Sequence, residues 1–356
     1  MKTFIFKIAR FAALTTLTLI FCVSLGFLTG CQRRPTLTVW SWAEMFPQEI
    51  LNEFEREYGY RVNYVHFDWG RTMLARLEAA GGRGYDLVIV DDYVLDLVIQ
   101  GGLAQRLDLS LVPNHRNINP IYLGHFYDPQ NLYTLPYGAG VQTIVYDPSR
   151  VTIPITGYAD LWHPSLNNSI GTIGNLRVIN GMALKVLGKS YNTNNLDDIR
   201  AAGDLLLELA PNIRVIKDDL LEDDLLSGEI SVAVMYTGMV TKAVMANPNL
   251  RVVFPTEGIG FGIMAGFIPS GAANVTAAHR FMNFLMDPQR GARAFEYLGY
   301  YSTYSASDPY IRPEFRPFLT IPEGFNFEME MIQNISPEAD AEHSRIWTAF
   351  RAATAR

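Results

Sequence analysis

Cysteine is nearly missing from this chain: Cys22 and Cys31 are the two among 356 residues. A disulfide framework is excluded, because Cys22 lies inside an apolar N-terminal run and a chain cut before Cys31 keeps one thiol. Basic charge is also short, with 29 Lys and Arg against 36 Asp and Glu, and no basic cluster stands outside the first ten residues. That balance argues against a nucleic-acid surface. The six histidines, His66, His115, His125, His163, His279 and His343, are scattered without zinc-ligand spacing. There is no His-Glu-x-x-His, no phosphate-cradling Gly-x-x-x-x-Gly-Lys-Ser/Thr and no Gly-x-Ser-x-Gly elbow. The reading is therefore a protein without metal, cofactor or catalytic centre.

What is present begins with an export signal. Lys2, Lys7 and Arg10 precede an apolar run over residues 11–28, and Leu28-Thr29-Gly30-Cys31 places small residues directly before a cysteine. This resembles a lipobox, so residues 1–30 read as a lipoprotein signal and Cys31 as the lipidated first residue of a tether over 31–35. Acyl chains on Cys31 would hold the body on the outer side of a bacterial membrane. Removing three cations moves the formal charge from -7 to -10.

The rest, 49% hydrophobic and 18% charged, is long enough for two cores. Strands are expected at 36–41, 62–67 and 86–90, alternating with helices at 48–58, 72–80 and 93–100, the β-α rhythm of an open parallel sheet. Residues 108–137 read as ordered loops and 138–146 as an extended crossover to a second lobe. That lobe should contain a helix at 201–209 and strands at 230–235 and 252–254. A return strand at 261–269 then leads to helices at 274–285 and 288–298. The acidic run over 218–224 reads as a solvated helix face.

Open α/β sheets bind ligands beyond the carboxyl ends of their strands, which brings Trp42, Glu44, Asp91, Asp92 and Tyr93 to a rim. Aromatic faces attract an ammonium and a carboxylate replaces its lost hydration. Trp40, Trp42, Tyr93, Tyr236, Phe261, Tyr300, Tyr301 and Tyr304 are candidate faces; of the first pair Trp42 is preferred, since it follows its strand. Asp68 is a further candidate acid. Each acid could instead cap a helix or face solvent.

Five blocks in order now carry a resemblance: Trp40-Ser41-Trp42-Ala43-Glu44, Tyr85-Asp86-Leu87-Val88-Ile89-Val90-Asp91-Asp92-Tyr93, Gly102-Leu103-Ala104-Gln105-Arg106-Leu107-Asp108, Tyr158-Ala159-Asp160-Leu161-Trp162 with Pro164, and Leu298-Gly299-Tyr300. Over residues 36–335 the chain resembles the periplasmic spermidine/putrescine-binding proteins of ABC transporters. The resemblance implies a two-lobed, type II-like periplasmic-binding-protein fold with the ligand cleft between lobes. Lobe 1 would be 36–141 and 264–308, and lobe 2 would be 142–263 and 309–356, with exchanges near Val141 and Met264 and a tail crossing near Asp308. It implies a small polyamine ligand, putrescine or spermidine, and a membrane permease as partner. Nothing in the sequence calls for more than a monomer.

By the same resemblance Trp42 is the first aromatic clamp, Asp91 and Tyr93 replace a serine and an aromatic at the amine, Tyr236 stands for an aromatic wall, Tyr300 for a late pocket tyrosine, and Gln333 for a polar contact. The departures are as informative. Asn175 and Val178, with Arg177 between them, stand where the family carries two acids, and Gly262 and Met264 stand near its tryptophan and aspartate. The acid has moved, with Asp91 first and Asp92 and Glu44 next in line, or the ligand is another small polar solute. The same scaffold could also serve as a sensor.

Overall fold

The computed structural model describes residues 34–320 and 329–355. The lipobox and Cys31 lie outside the described residues. Strand β1 (Thr36–Ser41) is followed by α1 (Gln48–Tyr58), β2 (Arg61–His66), α2 (Gly70–Ala79), β3 (Leu87–Asp91) and α3 (Asp92–Gln100). The three strands are parallel, in the order β2-β1-β3. Helix α1 forms because Ile50, Leu51 and Phe54 recur on one face, and it stops at Gly59, whose φ of 73° suits a residue without Cβ.

The expected loops at 108–137 contain short 3-10 turns, organised in part by buried Asp128. Its carboxylate accepts hydrogen bonds from the backbone of Leu132, Tyr133 and Thr134 and from the Thr134 hydroxyl. The next strand, β4 (Thr134–Tyr146), is longer than the expected crossover and buried almost throughout. Its first half pairs antiparallel with the later strand at residues 259–267, and its second half, from Gln142, pairs with the strand at 232–236.

The second half of the fold holds β5 (Ile170–Thr172), α4 (Leu176–Val186), α5 (Leu196–Leu209), β6 (Ile213–Ile216), α6 (Leu221–Ser227), β7 (Val232–Tyr236), α7 (Thr237–Ala246) and β8 (Arg251–Val253). Strand β9 (Ile259–Phe267) returns to the first half, followed by α8 (Val275–Leu285), α9 (Pro288–Leu298) and α10 (Arg316–Leu319). Strand β10 (Met329–Met331) lies parallel to β9, and α11 (Pro337–Thr354) closes the chain. One curled sheet runs β2-β1-β3-β9-β4-β7-β5-β6.

Two lobes result. Rings of Phe46, Phe54, Phe281, Phe284 and Phe295 fill one face of the first sheet region, and Trp40, Phe67 and Phe261 fill the other. A largely aliphatic cluster around Ile179, Leu206 and Val234 packs the second. Ile311 and Leu319 belong to the first lobe's packing, while Ile346 and Phe350 belong to the second's. Strands β4 and β9 are the covalent bridge between the two, and β10 adds a third strand to it.

Candidate functional site

Burial sorts the eight candidate aromatics. Trp40 is fully buried, stacked on Tyr85 at 3.8 Å, and Phe261, Tyr301 and Tyr304 are also buried. Trp42, Tyr93, Tyr236 and Tyr300 remain half-buried. The reason lies in element ends. Trp42 follows the last residue of β1, Tyr93 sits in the first turn of α3, and Tyr236 ends β7, so each stands where a parallel strand hands over to a helix.

Trp42 packs on Phe67 with ring centroids 4.6 Å apart, and its carbonyl accepts the Tyr64 hydroxyl. The Tyr300 ring fills a slot between the crossing strand and α7. A Cβ added at Gly140 would stand 2.8 Å from that ring, and one at Gly238 would stand 2.6 Å from it. Those two glycines are required by close approach. Tyr236 accepts a 3.0 Å hydrogen bond from Asn175 Nδ2.

Asp91 ends β3 and takes the N-cap position of α3, yet its side chain makes no capping bond. The capping alternative therefore does not hold for it. Burial lifts its carboxyl to about 6, against the pull of a hydrogen bond from the Trp42 side chain. Asp91 also pushes the hydroxyls of Tyr93, Tyr236 and Tyr300 up, after burial, so one carboxylate acts on three of the four aromatic residues.

Asp92 is deeper. Its carboxylate accepts from Tyr93 N at 2.8 Å and from Ile263 N on β9 at 3.1 Å. Burial first, then repulsion from Asp91, raises it to about 8. A Cβ at Gly262 would meet nothing within 4 Å except Asp92 Oδ2 at 3.8 Å, so the missing side chain there leaves room beside this acid.

The other candidates are spread along the rim. Glu44 has a left-handed backbone (φ 57°), a side chain 76% exposed, and Lys242 of α7 3.9 Å away. Asp68 is exposed. Gln333 is exposed too, and its backbone carries the contacts: its N–H donates to Asn192 Oδ1 at 2.7 Å and its carbonyl accepts from Arg177 at 3.2 Å.

The departures also find their places. Asn175 caps α4 by accepting from the backbone of Arg177 and Val178, and Val178 is packed in the aliphatic core. Arg177 is spent on the carbonyls of Tyr191 and Gln333 and the side chain of Asn192; burial lowers it to about 10. Met264 is buried opposite Asp91 in the β3–β9 pairing.

The acidic run is not wholly solvated. Glu222 is 5% exposed, and Asp218 accepts from Gly174 N at 2.7 Å. Helix α6 turns Leu221, Glu222 and Leu225 inward together, a stripe that the apolar spacing of the two leucines carries. Among the described residues no group of three or more His, Cys, Asp or Glu could hold a metal ion, and no helix is long and apolar enough to cross a membrane.

Two lobes joined by crossing strands, with half-buried aromatics and an uncapped carboxylate at strand ends, match a known family. The model of bacterial extracellular solute-binding proteins covers residues 49–313. The chain belongs to this family. Within it the chain groups with the spermidine/putrescine-binding periplasmic proteins; that of Salmonella typhimurium is 33% identical over 284 residues, 78% of this chain and 80% of the relative. The putrescine-binding periplasmic protein of Escherichia coli is 28% identical over 351 residues, 92% and 94% of the two chains. Among solved structures, the spermidine/putrescine ABC transporter substrate-binding protein of Streptococcus pneumoniae superposes with a TM-score of 0.77. It is 26% identical, over 90% of this chain and 99% of the other. Members of this solute-binding family carry small molecules for transport and are not enzymes.

Proposed function

We propose that this chain is the lipid-anchored solute-binding component of an ABC importer, capturing a cationic amine, putrescine or spermidine, between its lobes and delivering it to the permease. Asp91 is the observation that carries the reading. A half-buried carboxylate free of capping duty, with Trp42, Tyr93, Tyr236 and Tyr300 around it, offers an ammonium both a charge partner and π-faces. Asp92 and Glu44 are secondary acids of the same site, and Gln333 a contact from the returning tail. Relatives whose names state spermidine or putrescine binding support the amine.

In this reading residues 1–30 are removed on export and Cys31 carries the acyl chains. Lobe exchange near Val141 and Met264 lets the ligand bind one lobe first and draw the other over it, since a closed state that contacts the amine on both sides is favoured by the ligand's differential affinity. The chain acts as a monomer.

Isothermal titration calorimetry of putrescine and of spermidine into ligand-stripped protein tests this. One-to-one binding at micromolar affinity or tighter supports it. Absence of heat at several temperatures from folded protein overturns the amine and leaves a binder of another small polar solute. Loss of amine uptake on deletion supports transport; intact uptake with lost signalling would make the protein a sensor.

A further inference from the structure

One carboxylate at the contact between the lobes is only partly engaged: one of its oxygens sees a lysine and the other has no hydrogen-bond partner. Lys242 Nζ lies 3.9 Å from Glu44 Oε2 of the first lobe and 4.0 Å from Glu222 Oε1 of the second, so that point is interlobe space. Glu222 is therefore at its edge, although its side chain is only 6% exposed. At 4.0 Å the lysine is beyond hydrogen-bond reach of Glu222 Oε1, and Glu222 Oε2 is buried without a hydrogen-bond partner. A buried carboxylate oxygen lacking a donor is costly, and structures retain one where something else supplies the donor. A ligand ammonium carries three.

Glu222 and Asp91 come from opposite lobes, as the two ends of a doubly charged ligand held between them would require. Tyr300 is held between Gly140 and Gly238, and the two carboxylates that push its hydroxyl up, after burial, are Asp91 and Glu222. One belongs to the end of β3 in the first lobe, the other to α6 in the second. An acid from each lobe thus acts on this one ring, while Asn175 and Val178 are committed to capping α4 and to core packing.

We propose that Glu222 is the second acidic anchor of this site, receiving the far ammonium of a diamine whose near ammonium is held at Asp91. Lys242 then pairs with Glu44 alone at the cleft mouth. The inference rests on the amine reading above and deepens it: the ligand is a dication, and Glu222 selects it over a monoamine of equal length.

The test is calorimetry on the full-length protein in detergent, with putrescine and n-butylamine as probes. The expected result is at least about tenfold preference for putrescine in the unaltered protein, reduced below about threefold in Glu222→Gln. A second variant reads geometry. In Glu222→Asp the carboxylate retreats by one methylene, so among diamines of three to six carbons the tightest ligand should become one methylene longer. A putrescine preference that survives Glu222→Gln, with an unchanged urea midpoint, overturns the anchor and leaves the amine reading standing. If Glu222→Gln fails to fold, an unchanged length optimum in Glu222→Asp overturns it instead. Absence of any amine binding by folded, unaltered protein overturns the amine reading itself and Glu222's role with it.

Discussion

The first lobe packs rings edge to face, Phe54 against Phe281 at 4.9 Å and Phe46 against Phe281 at 5.5 Å, whereas the buried members of the second-lobe cluster are aliphatic apart from Tyr158 and Phe350. Polar accounting divides the same way. Among the described residues nine buried side-chain atoms lack a partner, and all but Ser307 Oγ lie on elements of the second lobe or its half of β4: Gln142, Thr143, Thr172, Arg177, Asn180, Tyr191, Glu222 and His343. The first lobe is a finished aromatic core with its acids at one edge. The second leaves donors and acceptors for water or ligand to complete.

The largest expected effect tests the aromatic side. Phe281 is fully buried and touches Phe46, Phe54 and Phe284, so Phe281→Ala should cost about 3–5 kcal/mol in urea unfolding. In the second lobe Ile179→Val, at an equally buried site, should cost about 1 kcal/mol. Similar losses at both would break the comparison. Asp91→Asn comes next. Removing the charge that faces a bound ammonium should weaken putrescine about a hundredfold, roughly 3 kcal/mol by calorimetry, while the unfolding midpoint at neutral pH rises, because burial disfavours the ionised carboxylate. Unchanged affinity would show that the charge is supplied elsewhere.

The same division governs what the sequence made legible. In the first lobe, amphipathic α1 carries its apolar residues as a stripe, and α9 runs from Pro288 to a glycine stop at Gly299; both were read to the residue because one face is polar. In the second lobe α4 is buried continuously from Val178 to Lys185, so no polar face marks its period in the sequence. Strand β10 is three residues long and exists through pairing with β9, some seventy positions earlier, which no local pattern shows. Helix α11 does carry a local signal, Ser336 capping Ala339 N with Pro337 at the first turn. Among the proposed site residues, Trp42, Asp91, Tyr93 and Tyr236 stand at strand ends, which the sequence pattern marks, whereas Tyr300 follows the helix stop at Gly299 and is pointed to by the family resemblance. Glu222 is not marked, because three successive acids look alike until α6 turns Glu222 and the flanking leucines inward.

Titration should separate His343 from the Asp91–Asp92 pair by sign. His343, fully buried between α4 and α11, is depressed to about 4 by burial and by Arg177, so the unfolded chain binds a proton between pH 6.5 and 4 that the folded chain refuses. Its contribution is complete above pH 6.5 and is lost as pH falls toward 4, on the order of 2 kcal/mol. Asp91 and Asp92 run oppositely. Raised to about 6 and about 8, they bind protons in the folded state that the unfolded chain has released, so stability declines as pH rises through 4–8. Urea unfolding across pH should show His343→Gln reducing the acid-side loss and Asp92→Asn flattening the decline toward pH 8. If both variants shift the profile in one direction, the opposed titration of His343 and the aspartate pair is wrong.

The smallest effect reads the unpartnered hydroxyls directly. Thr172 is fully buried on β5 and its Oγ1 has no partner, whereas Thr134 is buried on β4 with its hydroxyl donating to Asp128 at 3.0 Å. Replacing either by valine removes one oxygen at nearly constant shape. For Thr134→Val the loss is a made hydrogen bond to a charged acceptor, worth about 1.5–3 kcal/mol. For Thr172→Val nothing made is lost and a desolvated hydroxyl disappears, so the change should lie within about 1 kcal/mol of zero, on the stabilising side. A destabilisation at Thr172 equal to that at Thr134 would mean that an ordered water completes β5 in solution. The second lobe would then be as fully satisfied as the first, and its open positions would narrow to those facing the cleft, with Glu222 foremost.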